Sequence, residues 1–195
     1  MKRLFLFILV LIFTNHQLSF AEDKNKKYEI GISTGIISSS DVWVSLHGDY
    51  INQNANFFLK GYFDYFIIPE LSFGLYTNFT TISLEKDIYV FDKVIKKSGT
   101  PILEFGGSVK PRIELSEKLI LKPGASAGYR EYFGEDDFTT WKGFSLDGSA
   151  ELQYLLNDQL KLFTELGFLF QPYGGNKDTD VTFDPTLYLV VGVSF

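Results

Sequence analysis

Cysteine is absent from the 195-residue chain, and that absence removes two classes of architecture. Neither a disulfide-stapled scaffold nor a lipoprotein anchored through a thiol can be built without it. Basic residues are in short supply: 18 lysines and arginines stand against 24 aspartates and glutamates. That balance argues against nucleic acid as a partner and offers no broad basic surface for anionic lipid. Long apolar runs are missing as well. The longest, Leu4 to Phe13, falls well short of the ~20 residues that a membrane-spanning helix requires. No helical periodicity stands out between residue 28 and the end, and no phosphate-cradling glycine loop, zinc-ligand spacing or nucleophile elbow appears.

The N-terminal run has another use. Lys2 and Arg3 precede it, and Ser19-Phe20-Ala21 places small residues at the two positions a signal peptidase reads. Residues 1–21 are therefore expected to be a signal peptide cleaved after Ala21, leaving one domain at 22–195. A retained anchor fits less well because the run is too short. Cleavage removes two basic residues and no acid, leaving 16 against 24 and a net charge of −8.

Aromatic residues are abundant, at 17% of the chain. Apolar residues recur with a period of two, the signature of strands with one apolar face. Eight strands are predicted, at 28–37, 56–67, 71–81, 101–115, 119–132, 141–155, 160–170 and 185–195. Three connections are tight: Ile68-Pro69-Glu70, Ser116-Glu117-Lys118 and Asn157-Asp158-Gln159. The other four, at 38–55, 82–100, 133–140 and 171–184, are longer and polar. Pairing across the turns sets Ile67 against Leu71, Tyr65 against Phe73 and Phe63 against Leu75. It likewise sets Leu115 against Leu119, Ile113 against Leu121, Phe105 against Tyr129, Leu156 against Leu160, Tyr154 against Leu162 and Gly148 against Phe168. A one-residue slip in any hairpin would reverse its faces.

Glycine placement decides which face is inside. Gly31, Gly35, Gly74, Gly106, Gly124, Gly128, Gly143, Gly167 and Gly192 fall on the polar face, and only Gly61, Gly107 and Gly148 on the apolar one. Eight strands enclose barely enough room for side chains, so small residues belong inside. The polar face is then the lumen and the apolar face meets lipid, the reverse of a soluble barrel. The inward set is ionic: Glu29, Lys60, Asp64, Glu104, Lys110, Arg112, Glu114, Lys122, Arg130, Asp147, Glu151, Lys161 and Glu165. These charges need partners in a narrow lumen, and with Phe58, Tyr62, Phe66 and Tyr76 they predict a filled interior. A structural network accounts for them better than a gated proton or ion path. Outward aromatics gather near the turns (Tyr28, Tyr65, Phe73, Tyr154, Phe195) and near the loops (Phe57, Phe79, Phe144, Phe168, Phe170), as two interfacial girdles would. Pro111 and Pro123 are expected opposite each other in adjacent strands, with a local break in the ladder.

Candidate chemistry is sparse. Ser45, His47 and Asp49 alternate along the first long loop. Neighbours two apart on an extended chain sit roughly 6.5–7 Å apart, whereas a triad needs hydrogen bonds of about 3 Å. The run Asn176-Lys177-Asp178-Thr179-Asp180, with Asp184 nearby, lacks the glycine and distal glutamate of a calcium loop. It reads as a solvated acidic loop, as does Gly134-Glu135-Asp136-Asp137. Ile82 to Lys97 keeps much of its alternation, with Ile88, Val90 and Val94 among Lys86, Lys93, Lys96 and Lys97. An ordinary mobile loop is the first expectation here; the second is that strands 3 and 4 continue as a protruding hairpin whose edge can pair with another chain and whose lysines can meet lipopolysaccharide phosphates.

The chain closes on an amphipathic strand: Leu187, Leu189, Val191, Val193 and Phe195 share one face. A terminal Phe behind alternating apolar residues resembles the assembly signal of bacterial outer-membrane barrels. With the leader, the eight strands and the three tight turns, the mature chain resembles the small outer-membrane β-barrel superfamily of OmpA- and OmpX-type proteins. The resemblance implies an all-β fold: an eight-stranded antiparallel up-and-down transmembrane β-barrel with short periplasmic turns and longer extracellular loops. It implies residence in the bacterial outer membrane as a monomer. It also implies contact with outer-membrane lipid, lipopolysaccharide and the barrel assembly machinery, and a surface ligand or host molecule held through the loops. No cofactor, metal or catalysis is expected. A narrow solute or ion channel and a lipid-modifying enzyme using His47 are the competing expectations.

Overall fold

The computed structural model describes residues 27–38, 40–44, 49–88, 93–133, 141–175 and 180–195. The leader, His47, the Asn176–Thr179 stretch and the Gly134–Asp137 stretch lie outside the described residues. Ten strand segments occur in order: β1 Tyr28–Ile37, β2 Ser40–Val44, β3 Asp49–Ile68, β4 Leu71–Ile88, β5 Lys93–Pro111, β6 Ile113–Ser116, β7 Leu119–Tyr132, β8 Lys142–Leu155, β9 Lys161–Gly175 and β10 Asp180–Ser194. All pairings are antiparallel. β1 lies between β3 and β10, which closes the sheet. β2 continues β1 between the same two neighbours, and β6 continues β5 beside β7. The ten segments are thus eight staves of a closed barrel, with no helix among the described residues.

Alternation along each stave produces two unlike surfaces. In β1, Glu29 is 1% exposed while its neighbour Ile30 is 51% exposed. A soluble barrel would bury the isoleucine and hydrate the glutamate. Here the buried set is rich in charge and the exposed set is rich in Ile, Leu, Phe and Tyr, as lipid on the outside requires. Tyr28, Tyr65, Phe73 and Tyr154 are exposed near the turns, and Phe57, Phe79, Phe144 and Phe168 near the opposite rim. Outside, Gly107, Ala125 and Ala127 lie in a shallow depression of about 660 Å³ between larger apolar residues.

Register follows the hydrophobic pattern over most of the barrel. Tyr65 faces Phe73 and Phe63 faces Leu75; Phe105 faces Tyr129; Ile113 faces Leu121; Tyr154 faces Leu162 and Gly148 faces Phe168. The Phe168 ring lies over Gly148, where a Cβ would meet it. Two turn-proximal pairings differ from expectation. Ile68, not Ile67, faces Leu71, and Ser116, not Leu115, faces Leu119. In each case one residue is inserted beside the turn, a bulge that tightens the reversal. The third turn is shaped by Asn157, whose Oδ1 accepts from the amides of Gln159 (2.9 Å) and Leu160 (2.8 Å), and Leu156 N–H donates to the Leu160 carbonyl.

The prolines act as their chemistry demands. Ladder pairs run to Val109↔Ala125, stop, and resume at Ile113↔Leu121 in the same register. Pro111 and Pro123 occupy the gap, since neither can donate an N–H. The freed Arg112 amide donates to the Glu70 carbonyl at 2.7 Å.

The long connections are shorter than the sequence suggested. Segments 40–44, 49–55, 82–88, 93–100, 171–175 and 180–184 are strand, so the sheet extends past the upper aromatic girdle. β-bulges mark the passage: between Ala55 and Phe57, opposite Ile82 to Leu84, between Phe144 and Leu146, and on both sides of Phe183. Bulges of this kind are common at barrel rims.

Candidate functional site

The lumen is packed by a rule that the pairings make plain. Tyr62 lies directly opposite Gly31, Tyr76 opposite Gly106 and Tyr188 opposite Gly167. A Cβ on any of those glycines would collide with the facing tyrosine ring. Each ring therefore crosses the lumen over a neighbour that has no side chain, and its hydroxyl reaches the centre. There it meets the charged residues.

Near the periplasmic turns, Glu29 accepts from Lys161 (2.5 Å), Lys122 (3.0 Å), Tyr62 (2.8 Å) and Gln153 (2.7 Å). Lys122 also donates to Asp64 at 2.7 Å, and Lys110 lies between Asp64 (3.2 Å) and Glu151 (3.4 Å). The Lys110 ammonium sits 3.9 Å from the Tyr62 ring centroid, close enough for a cation–π contact. Midway, Lys60 donates to Glu165 at 2.6 Å, and the Tyr188 hydroxyl bridges Glu165 (2.7 Å) and Asp147 (2.8 Å). Toward the extracellular rim, Glu104 is gripped by Arg130 through Nη2 (2.9 Å) and Nε (3.1 Å), and accepts from Tyr76 and Ser145. Arg130 continues to Tyr132, and Tyr132 to Gln171.

The column is closely packed. Lys122, Glu151 and Glu165 are fully buried, and a gap beside Lys60, Tyr76 and Lys110 is too narrow for a water molecule. Phe58 and Leu169 belong to the buried apolar cluster with Ile37 and Val190, and Ile102 and Trp141 are buried toward the extracellular end, with Trp141 edge-on to Tyr132 at 5.7 Å. Asp147 is held by the Tyr188 hydroxyl, and the other charges of the column have an opposite charge at hydrogen-bond distance, the condition under which buried ions are tolerated.

Eleven of the thirteen residues assigned to the lumen lie in this column: Glu29, Lys60, Asp64, Glu104, Lys110, Lys122, Arg130, Asp147, Glu151, Lys161 and Glu165. Arg112 and Glu114 lie at its periplasmic end. They pair with each other at 3.2 Å at the periplasmic lip, where Glu114 is 60% exposed. All four residues of β6 are exposed, because past the proline gap the stave projects into water on both faces. The tyrosine hydroxyls, Gln153, Ser145 and Gln171 were missed as network members. The signal for three of the tyrosines was available: Tyr62, Tyr76 and Tyr188 each face an inward Gly on the next stave, whereas Tyr132 faces Ile102.

The closing strand seals the barrel as a backbone element. β10 pairs with β1 and β9, and Phe195 exchanges two backbone hydrogen bonds with Ile30 (2.9 and 3.2 Å). Leu187, Leu189 and Val191 are exposed to the outside, Val193 and Phe195 partly so, while Tyr188, Val190 and Ser194 are buried within. No group of three or more His, Cys, Asp or Glu among the described residues is arranged to hold a metal.

Inverted polarity, a closed antiparallel sheet and a filled ionic lumen define a transmembrane β-barrel. Solved structures agree on which kind. No family model and no curated protein matches the sequence. The chain is similar in fold to Neisserial surface protein A (TM-score 0.58, 11% identity, 86% of this chain and 95% of that one). It is similar also to the outer membrane protein OprG from Pseudomonas aeruginosa (0.57, 14%, 87% and 96%) and to AlkL in lipid bilayers (0.57, 13%, 93% and 94%). The fold is that of the small eight-stranded outer-membrane β-barrels, as the resemblance to OmpA- and OmpX-type proteins implied.

Proposed function

We propose that the protein is a non-enzymatic component of the bacterial outer membrane that acts through its extracellular face, as a structural or surface-binding barrel with a lumen closed to solutes. The observation that carries this reading is the lumen itself: a closely packed column of buried ion pairs from Lys161 to Arg130. Opening it would separate several buried charges at once, each separation costing several kcal/mol. The surface that remains to work with is the strand extension above the upper girdle.

The exposed row of β10 supports a second part of the reading. Leu187, Leu189, Val191 and the terminal Phe195 present the pattern that the barrel assembly machinery takes up, and the protein functions as a monomer among outer-membrane lipid and lipopolysaccharide. Reconstitution into planar bilayers tests the closed lumen: the expected record is silent, and discrete conductance steps would favour the narrow-channel reading. Surface binding has a separate test. Grafting residues 38–55 and 82–100 onto an inert eight-stranded barrel should carry any cell- or ligand-binding property with them, whereas retention by the membrane belt alone would contradict it.

A further inference from the structure

The proline pair leaves the wall with two backbone oxygens that no amide faces. Phe133, just past β7, donates its amide to the Pro101 carbonyl of β5, and the register from Ile102↔Tyr132 to Val109↔Ala125 is unbroken. Odd-numbered residues of these two staves therefore meet in hydrogen-bonded pairs, while even-numbered ones turn their amides to the neighbour on the other side. Arg112, which donates to Glu70 beside β4, and Tyr132, which donates to Trp141 beside β8, obey that parity. Pro111 stands opposite Pro123 at an odd pair, because the ladder resumes in the same register at Ile113↔Leu121. In such a pair each amide donates to the other's carbonyl. Here both nitrogens belong to proline, so the Pro111 and Pro123 carbonyls face ring carbons in place of N–H groups.

Two features of the outer surface adjoin these oxygens. Above them on the same staves, Gly107, Ala125 and Ala127 floor the depression of about 660 Å³, walled by Phe73 and Leu75 on one side and Leu146 on the other. Val109 and Ala125, the last ladder pair before the prolines, lie at its periplasmic end. Below the prolines the belt gives way to the lip. Pro111 is exposed and Pro123 half-buried, and the adjoining lip carries Glu70, Glu114 and Glu117 against Arg112 and Lys118. Glu114 takes up Arg112, which leaves the lip with an excess of acid. From membrane to lip the order is thus an apolar trough, two backbone acceptors with no amide opposite, and a negative rim.

We infer that the seam between β5 and β7 binds a phospholipid with a primary ammonium headgroup, one acyl chain in the trough and the ammonium donating to the Pro111 and Pro123 carbonyls. The occupant follows from place and complementarity. The trough faces hydrocarbon, so an alkyl chain is what covers its small residues. A backbone acceptor at the margin of the hydrocarbon gains from a donor that the facing strand does not supply. An ammonium offers three N–H groups on one charge, and the acid excess of the lip favours a cation over an anionic headgroup. A choline headgroup carries the same charge and no N–H, which separates the hydrogen bonds from the electrostatics. The inference concerns the periplasmic end of the barrel and is independent of what the extracellular face binds.

The test is native mass spectrometry of the folded protein in detergent micelles doped with equimolar phosphatidylethanolamine, phosphatidylcholine and phosphatidylglycerol of one acyl composition. The mono- and dimethylated ethanolamine lipids serve as intermediates in parallel mixtures. The ethanolamine lipid should be retained about tenfold over the choline lipid, the worth of one charge-assisted hydrogen bond, and retention should fall as methyl groups replace N–H. The double variant Pro111→Ala, Pro123→Ala returns an amide to each side of the seam and should remove the preference. Pro185→Ala, at an exposed position toward the extracellular rim, should leave it unchanged. Gly107→Leu with Ala127→Leu fills the trough and should weaken retention of both lipids. Heat-modifiable migration on gels confirms that each variant is folded, and the methylation series on the unaltered protein decides the matter if the double variant is not. Equal retention of the ethanolamine and choline lipids overturns the inference, since water then serves the carbonyls. A preference that survives the double variant overturns it too, as does stronger retention of phosphatidylglycerol than of either.

Discussion

In the membrane belt Lys122, turned inward, is fully buried, while Leu75, turned outward, is 68% exposed. One continuous sheet thus serves two surroundings. The outside is hydrocarbon, so the strands place Ile, Leu and aromatics outward and must neutralise whatever they turn inward. Inside, the lumen takes the charged side chains and the tyrosine hydroxyls that bind them. The sheet hydrogen bonds are indifferent to the difference. What changes from one face to the other is which side chain the surroundings reward.

The comparison can be broken from either side. Lys122→Met leaves Glu29 and Asp64 buried without their shared ammonium, and a loss of about 3–5 kcal/mol is expected, read from the urea midpoint of the barrel in lipid vesicles. An equally stable Lys122→Met barrel would show that the ion pairs are incidental. Leu75→Arg places a charge in hydrocarbon and should cost about 2–4 kcal/mol in the same assay; a soluble barrel would tolerate it. Tyr188→Phe removes the hydroxyl that bridges Glu165 and Asp147 and should cost about 1.5–3 kcal/mol. Gly128→Ala forces a Cβ against the Tyr76 hydroxyl and the Phe105 carbonyl and should cost about 1–3 kcal/mol. Gly107→Ala, whose Cβ would find its nearest neighbour at 3.7 Å, should be almost silent. At the small end, Lys142→Gln breaks a surface pair with Glu131 and should leave the urea midpoint unmoved.

The belt was legible in the sequence because its two faces meet opposite environments. Alternation there is clean enough to fix the register of Tyr65 against Phe73 or Tyr154 against Leu162 before any coordinates are known. The Pro111 and Pro123 gap was legible for a different reason, since a missing N–H is a property of the residue alone. The strand extension was legible only in part: the alternation over Ile82 to Lys97 raised the hairpin in which β4 and β5 continue. Asn52-Gln53-Asn54-Ala55-Asn56, by contrast, has the composition of a loop, yet it lies within β3. Glu114, assigned inward, lies exposed at the lip, since alternation counts positions without knowing where the membrane ends. The bulges beside the turns were hidden too, since an inserted residue leaves no mark in composition. In the lumen the charges were evident, but Tyr62, Tyr76 and Tyr188, which bind them together, emerge only when each is set against the glycine on the next stave.

The central claim is that the apolar face of this barrel meets lipid and its ionic face is sealed within. Because the chain has no cysteine, single nitroxide labels can be placed without background at residues 187 to 193 of the closing strand. Collision rates with oxygen, which concentrates in lipid, and with a water-soluble nickel chelate test the claim at each position. Labels at Leu187, Leu189, Val191 and Val193 should collide freely with oxygen and hardly at all with nickel, and labels at Tyr188 and Val190 should be shielded from both. Nickel access at the odd positions, or oxygen access undiminished at the even ones, would contradict it.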